Sequence, residues 1–461
     1  MTEPSAPEAL IGGVPAGRIA AVRSREAAAF AARRQKTQAA LRDGTAAFLG
    51  GVPMLWMQDW PQPFPMLVAE ARGATLVDID GNRLDDFCLG DTGSMFGHSP
   101  EPVARALAEQ GARGLTYMLP TEDALAVGHL LQDRFGPFVW QIATTASDAN
   151  RFAIRVARGV TKRSKILVFA GCYHGAVDDT FVEPGPDGHT RARPALVGQV
   201  ADLTVGSKVI EFNDLKALAQ ALAEGDVAAV LAEPVMTNCC MVLPDPGYHA
   251  ELRRLTRAHG TLLIIDETHT ISSGLGGYTR THGLDPDMFV VGKPVAGGLP
   301  AAVWGMTPDL AARFADLNAT RPPGFSGIGT TLSANPLQFA AMRANLAEVM
   351  TAENYAKMEA GAERLAQGLA NVIQRHAAPW HVVRVGARVE FICHPTPLRN
   401  GSEADVAHKP ALEKAIHAAL VNRGCLIAPF HNMMLVSPAT GTDQIDRLIA
   451  AFDDITQELM A

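Results

Sequence analysis

The sequence predicts an α/β protein in which a mainly parallel sheet lies between two layers of helix, joined to a smaller α+β domain. Three observations carry this expectation. Continuous apolar runs of strand length recur beyond about residue 100, as "KILVFA" (165–170), "VAAVLAEP" (227–234), "TLLIIDE" (261–267) and "DMFVVG" (287–292). Helix-like segments such as "NDLKALAQALAE" and "YHAELRRLTRAHG" stand between several of them, and unalternating runs suit strands covered on both faces. The chain has 461 residues, 48% hydrophobic and 19% charged, an ordinary globular composition with a length prior of roughly two to three domains.

Taken in order, residues 1–17 are rich in Pro, Gly and Ala and read as a loose leader. Ile19–Leu41, "IAAVRSREAAAFAARRQKTQAAL", favours one helix on propensity, ending near Asp43-Gly44. Arg- and Ala-rich leaders also occur as transit peptides, but Glu26 and the ordered pattern that follows favour a structural helix. "ATLVDIDGNRLDDF" (74–87) reads as a hairpin around Asp80-Gly81-Asn82. From about residue 340 a long helical stretch leads into "VRVGARVEFICH" and "CLIAPFHNMMLVSPA", strands of the smaller domain. The expected division is 1–83 for the leader, helix and following segment that joins the small domain, 84–340 for the large domain, and 341–461 for the C-terminal small domain.

Composition also excludes classes of function. A net charge of −8 argues against a nucleic-acid surface, which needs concentrated basic residues to displace counterions. The six cysteines (Cys88, Cys172, Cys239, Cys240, Cys393, Cys425) lack metal-ligand spacing and read as reduced thiols, so no metal is expected. The N-terminus has no signal-peptide pattern and no apolar stretch reaches membrane-spanning length, so a soluble, cytoplasmic protein without a membrane partner is expected.

Polar residues gather just after the apolar runs: Tyr173 and His174, Glu233, Asp266, and Lys293 in "DMFVVGKPVAGGLP". Ligands of such sheets bind beyond the carboxyl ends of the strands. An aspartate ending an apolar strand needs a cation, and a lysine in a similar setting needs a partner. A direct Asp266–Lys293 salt bridge satisfies both. So does a cofactor with a cationic site for the carboxylate and an electrophilic carbon for the amine, as in pyridoxal 5′-phosphate (PLP). The phosphate of that cofactor suits Thr144, Thr145 and Ser147 at the start of "ATTASDANRFAIRVARG" (143–159), residues that also read as a plain helix cap.

The ordered set "AIRVARG", "KILVFAGCYHG", "AEPV", "LLIIDETHT", "VVGKPVAGGLPAAVWG" and "TTLSANPL" resembles class III PLP-dependent aminotransferases, above all the glutamate-1-semialdehyde aminomutase and β-amino-acid aminotransferase branch. The similarity runs from about residue 45 to the C-terminus and implies PLP fold type I. It also implies that Lys293 forms the Schiff base and moves protons, and that Asp266 keeps the pyridine nitrogen protonated. Tyr173 would stack on the ring, with Thr145, Ala146 and Ser147 at the phosphate and Glu233 and Asn238 near the ring hydroxyl. His174, Thr268 and His269 complete the expected cofactor set. Thr331 would reach the phosphate of a neighbouring subunit, which implies a homodimer with shared active sites. Three departures stand out: the phosphate loop Thr145-Ala146-Ser147-Asp148 lacks the usual glycine, Thr268 replaces the usual valine, and His269 replaces the usual Gln or Met. His269 then donates to the ring oxygen or serves as a structural histidine.

The resemblance implies, first, transamination from an amino acid or amine to a keto acid in two half-reactions. Its alternative is an aminomutase, which moves an amine within one substrate. A non-enzymatic PLP-binding scaffold is the third possibility, disfavoured because Asp266, Lys293 and Tyr173 are all present. Substrate walls are expected around "GGVPMLWMQDWPQPFP" and "GDTGSMFGH", with Trp56, Met57, Trp60, Met95 and Phe96 favouring a substrate with an apolar portion. Plain packing explains the same residues. Arg388 is the expected anchor for a substrate carboxylate, with Glu390 on the same strand face able to neutralise it.

Overall fold

The computed structural model describes residues 9–44, 47–322, 324 and 326–461. The chain divides into a large unit, Thr92–Tyr355 with Leu398–Val406, and a small unit, Met1–Asp91, Ala356–Pro397 and Ala407–Ala461. These boundaries fall later than the 84 and 341 expected from the sequence, and the short 398–406 segment goes with the large unit.

A seven-stranded sheet forms the centre of the large unit, in the order Ser207–Ile210, Lys165–Phe169, Val227–Ala232, Leu262–Asp266, Met288–Val291, Ala302–Met306, Val139–Ala143. The first five strands are mutually parallel. Ala302–Met306 runs antiparallel to both its neighbours. Every residue of the Val227–Ala232, Leu262–Asp266, Met288–Val291 and Ala302–Met306 strands is buried. Helices therefore cover both faces, which is why these strands carry continuous Val, Ile, Leu and Ala. Helix Ala146–Thr161 packs across the sheet with Phe152, Ala153, Val156 and Ala157 buried. Leu215–Ala223 and Tyr248–Ala258 pack together over other strands, as the sequence pattern predicts.

Two of the small unit's sheets have three strands or more. One is antiparallel, His381–Val385, Arg388–Ile392 and Met433–Leu435. The other orders Cys425–Leu426, Arg83–Asp86, Thr75–Asp78 and Val68–Arg72, and contains the hairpin expected at 74–87. Phe391, Leu365, Leu369, Ile416, Leu448 and Phe452 share its core.

Two expectations for the N-terminus are corrected. Residues 1–8 lie outside the described residues, but Leu10–Ile11 pairs with Val14–Pro15, and Val14, Ile19 and Val22 belong to the core. The single helix expected over 19–41 is two, Ala16–Ala32 and Gln35–Gly44. The break is electrostatic. Buried Arg34 pairs with buried Asp78 at 2.9 Å and lies over the Phe30 ring at 4.0 Å, while Asp80 accepts the Lys36 and Thr37 N–H groups at 2.7 and 3.0 Å and so caps the second helix.

Candidate active site

The carboxyl ends of the parallel strands open into a cavity of about 310 Å³. Around it stand three groups of expected site residues: Thr145, Ala146 and Ser147 at a helix N-terminus; Tyr173, His174, Glu233 and Asn238 after two strands; and Asp266, Thr268, His269 and Lys293 after two more. Thr331 is exposed and does not line this cavity.

Asp266 ends its strand and is 5% exposed. Its Oδ2 accepts from Asn150 Nδ2 at 2.8 Å and lies 2.9 Å from His174 Nδ1, while Oδ1 accepts the Thr268 N–H at 3.1 Å. Burial, the largest single effect, opposes its charge, but the bond to and charge of His174 together with the Thr268 and Asn150 bonds outweigh it and hold the carboxyl down at about 2. His174 is fully buried; desolvation opposes its charge, and the Asp266 bond raises it to about 10. Thus the ion pair at Asp266 is made with His174, and Lys293 has a different neighbour.

The Lys293 amine lies 2.5 Å from His269 Nε2. Its backbone adopts φ +42°, in the left-handed region that a residue with a side chain enters at a cost of about 1–2 kcal/mol. Two contacts hold that turn. The Gly292 N–H donates to Thr268 Oγ1 at 3.2 Å, and Gly292 approaches Ala146 so closely that a Cβ there would sit 2.9 Å from the Ala146 Cβ. The glycine before the lysine thus lets the lysine turn and the helix N-terminus meet.

At that N-terminus Thr145 caps the helix, accepting the Asp148 N–H at 3.2 Å. Ser147 Oγ accepts the Ala176 N–H at 2.9 Å, and Gly175, at φ +84°, is required because a Cβ would lie 2.1 Å from that oxygen. The first-turn N–H groups of Ala146 and Ser147 have no preceding helical carbonyl to bond, which makes the turn an anion site in the presence of a phosphate.

Behind the lysine, His269 Nδ1 lies 2.7 Å from Thr237 Oγ1, which donates to Glu233 Oε2 at 2.5 Å. Asn238 Nδ2 donates to Glu233 Oε1 at 3.0 Å and to the Tyr173 carbonyl at 3.4 Å. Burial pushes the Glu233 carboxyl up.

Sequence reasoning missed Asn150 and Thr237. Asn150 shares the inward helix face with Ala149, Ala153 and Ile154, and a polar residue on an apolar stripe was the available signal. Thr237 carried none, since its partner His269 is 32 positions away. The substrate-wall residues divide. Met95 and Phe96 are 0% and 6% exposed, and Phe96 packs edge-on to Tyr355, which fits the packing alternative for these two. Trp56 is exposed beside Phe430, and Trp60 lies edge-on to His417, both within the small unit. Arg388 is buried there, on the strand face it shares with Glu390, whose Oε1 lies 3.2 Å from His431 Nδ1.

A buried ionised carboxylate, a strained lysine and a helix N-terminus around one cavity suit the ring nitrogen, the aldehyde and the phosphate of PLP respectively. Comparison with known proteins agrees. The family model for Aminotransferase class-III matches residues 56–456. The chain is 31% identical over 395 residues to the glutamate-1-semialdehyde 2,1-aminomutase of Archaeoglobus fulgidus, covering 85% of this chain and 93% of that one. It matches the crystal structure of a glutamate-1-semialdehyde-aminomutase from Pseudomonas aeruginosa PAO1 with a TM-score of 0.95 at 46% identity, covering 97% and 100% of the two chains. A lysine-to-alanine variant of that protein is known in complex with PMP. An omega-transaminase from Sphaerobacter thermophilus matches with a TM-score of 0.84 at 26% identity, covering 91% and 97%. The chain is a PLP enzyme of fold type I and belongs to the class III aminotransferase family.

Proposed function

We propose that the protein is an aminomutase, moving an amino group between adjacent carbons of one small substrate of the glutamate-1-semialdehyde type. The observation that carries this reading is the 46% identity to the Pseudomonas aeruginosa structure over nearly the full length of both chains, supported by relatives of the same name. It shifts the weight away from the transaminase reading, which the resemblance puts first and which the omega-transaminase likeness still favours as the second.

When bound, PLP supplies an aldehyde carbon that condenses with amines and a ring that accepts the electron pair left by a broken C–H bond. Asp266, held ionised by His174, keeps a proton on the ring nitrogen. Lys293 would be the residue that links covalently to the aldehyde, and its Nζ, when free, would accept and give back the proton of the substrate carbon. Tyr173 would cover the ring, the Ala146 and Ser147 N–H groups and the Ser147 hydroxyl would hold the phosphate, and Asn238 and Glu233 would flank the ring hydroxyl. Thr331 completes the phosphate site of a second copy, making a homodimer. Arg388 is the proposed carboxylate anchor and Trp56 part of the substrate wall.

The experiment is turnover of glutamate-1-semialdehyde by the PLP-loaded protein with no keto acid present, followed by ¹⁵N NMR of a mixture of labelled and unlabelled substrate. Conversion without added acceptor is expected. An absolute requirement for pyruvate or another keto acid overturns the reading in favour of a transaminase.

A further inference from the structure

We propose that Glu233, Thr237 and His269 form a one-proton relay linking the buried Glu233 carboxyl to the Lys293 amine without passage through bulk water. The proposal deepens the reading of Lys293 as the group that carries the cofactor and moves the proton. It concerns how that amine acquires and gives up its own charge.

The geometry is a continuous file of three short contacts: Glu233 Oε2 to Thr237 Oγ1 at 2.5 Å, Thr237 Oγ1 to His269 Nδ1 at 2.7 Å, and His269 Nε2 to Lys293 Nζ at 2.5 Å. The three relay residues are 5%, 1% and 6% exposed, so water does not readily compete for their protons. Glu233 is pinned at both oxygens. The Thr237 N–H donates to Oε2 and Asn238 to Oε1, each at 3.0 Å.

The directions of the bonds follow from the chemistry of each group. With Glu233 ionised, the Thr237 hydroxyl donates to it and its oxygen accepts from His269 Nδ1–H, leaving Nε2 to accept from a Lys293 ammonium. With Glu233 protonated the file reverses: Glu233 donates to Thr237, Thr237 to Nδ1, and His269 presents Nε2–H to a neutral Lys293. One state becomes the other by a single net proton movement. The Glu233 O–H breaks as a threonine O–H forms, the original threonine O–H breaks as Nδ1–H forms, and Nε2–H breaks as a lysine N–H forms. Charge changes only at the two ends, and no further reactant is needed.

Imidazole is the side chain that can take a proton at one nitrogen while releasing one from the other. A Gln or Met at position 269 offers no such path. The remaining titratable groups around the cavity are Tyr173, His174 and Asp266, and the last two are engaged with each other. Burial raises the Glu233 carboxyl, which brings it closer to exchange with an amine than a solvated glutamate.

The test uses the full-length protein loaded with PMP, in which Lys293 is a free amine, and competitive acetylation of Lys293 across a pH range, read by mass spectrometry. Thr237→Val and Glu233→Gln are each expected to move the labelling midpoint of Lys293 downward by about one pH unit, because the ammonium loses its link to a carboxylate. Thr237→Ser, which keeps the hydroxyl, is expected to retain the wild-type midpoint, and the Val/Gln double variant to shift no further than either single one. An unmoved midpoint in a folded Thr237→Val protein overturns the relay, as do additive shifts in the double variant. If Thr237→Val does not fold, an unmoved midpoint in Glu233→Gln overturns it alone. Borohydride attachment of PLP to a different lysine would defeat the functional reading of Lys293 and leave the midpoint result standing by itself.

Discussion

Oδ2 of Asp266 lies 2.9 Å from Nδ1 of His174, and both residues are buried. The carboxyl is depressed to about 2 and the imidazole raised to about 10. The carboxylate's contribution to stability is present above its unfolded value of about 3.9 and is lost as pH falls through about 2. The imidazolium's contribution is whole below its unfolded value of about 6.5 and is lost as pH rises through about 10. Thermal melts should therefore show the pair's full effect between about pH 4 and pH 6.5. His174→Phe should flatten both limbs and cost about 3 kcal/mol at pH 6, since it leaves a buried charge without its partner. A variant whose melting curve against pH overlays that of the wild type would show that the pair stores no such energy.

Replacing Lys293 by alanine removes the primary amine but keeps a Cβ in the left-handed turn, so the backbone strain stays. Borohydride treatment followed by peptide mapping should find no PLP on the variant, and turnover should fall by at least about 100-fold through loss of proton transfer. Cofactor held by the helix N-terminus alone should remain detectable by absorbance. Labelling of another lysine in the wild type would move the assignment there.

Much of the sheet was legible because buried parallel strands cannot hide: "VAAVLA", "LLIID" and "MFVV" are buried at every position, and strand-end polar residues then fall at the cavity by topology. What escaped were the features set by distant partners. Ala302–Met306 is an antiparallel insert among parallel neighbours, and its short run "AVWGM" says nothing about direction. The helix break at Arg34 depends on Asp78 in a later hairpin, which local propensity does not see. Asn150 and Thr237 act through Asp266 and His269, which lie 116 and 32 positions away. Within the lysine turn the sequence announces its glycines, but not that Gly292 is pressed against Ala146 of a different element.

Thr331 is exposed in the single chain, and its proposed place at the phosphate of a second copy can be tested there. Its replacement by alanine should weaken PLP binding about tenfold, the usual worth of one hydrogen bond to a charged group, without changing the melting temperature of the cofactor-free protein. Sedimentation should find a dimer, and dilution below its dissociation constant should release cofactor. A fully active monomer that retains PLP would remove Thr331 from the site.

Arg388 poses the sharper question about substrate. It is 1% exposed on the strand face it shares with Glu390, which His431 approaches at 3.2 Å, and Glu390 in turn raises the His431 imidazole against the effect of burial. An arginine of this kind has two possible duties: neutralising Glu390, or offering its planar fork to a substrate carboxylate. Arg388→Gln separates them, because loss of neutralisation acts on folding and loss of the fork acts on substrate choice. As a carboxylate anchor, Arg388 requires the variant to lose about tenfold or more in kcat/KM for amines bearing a carboxylate while uncharged amines are handled as before. As a structural cation, it requires a lower melting temperature that recovers when Glu390→Gln is added, with the ratio between the two substrate classes unchanged. Measuring that ratio and the double-variant melt on the same preparations decides between the duties, and an unchanged ratio places the anchor elsewhere.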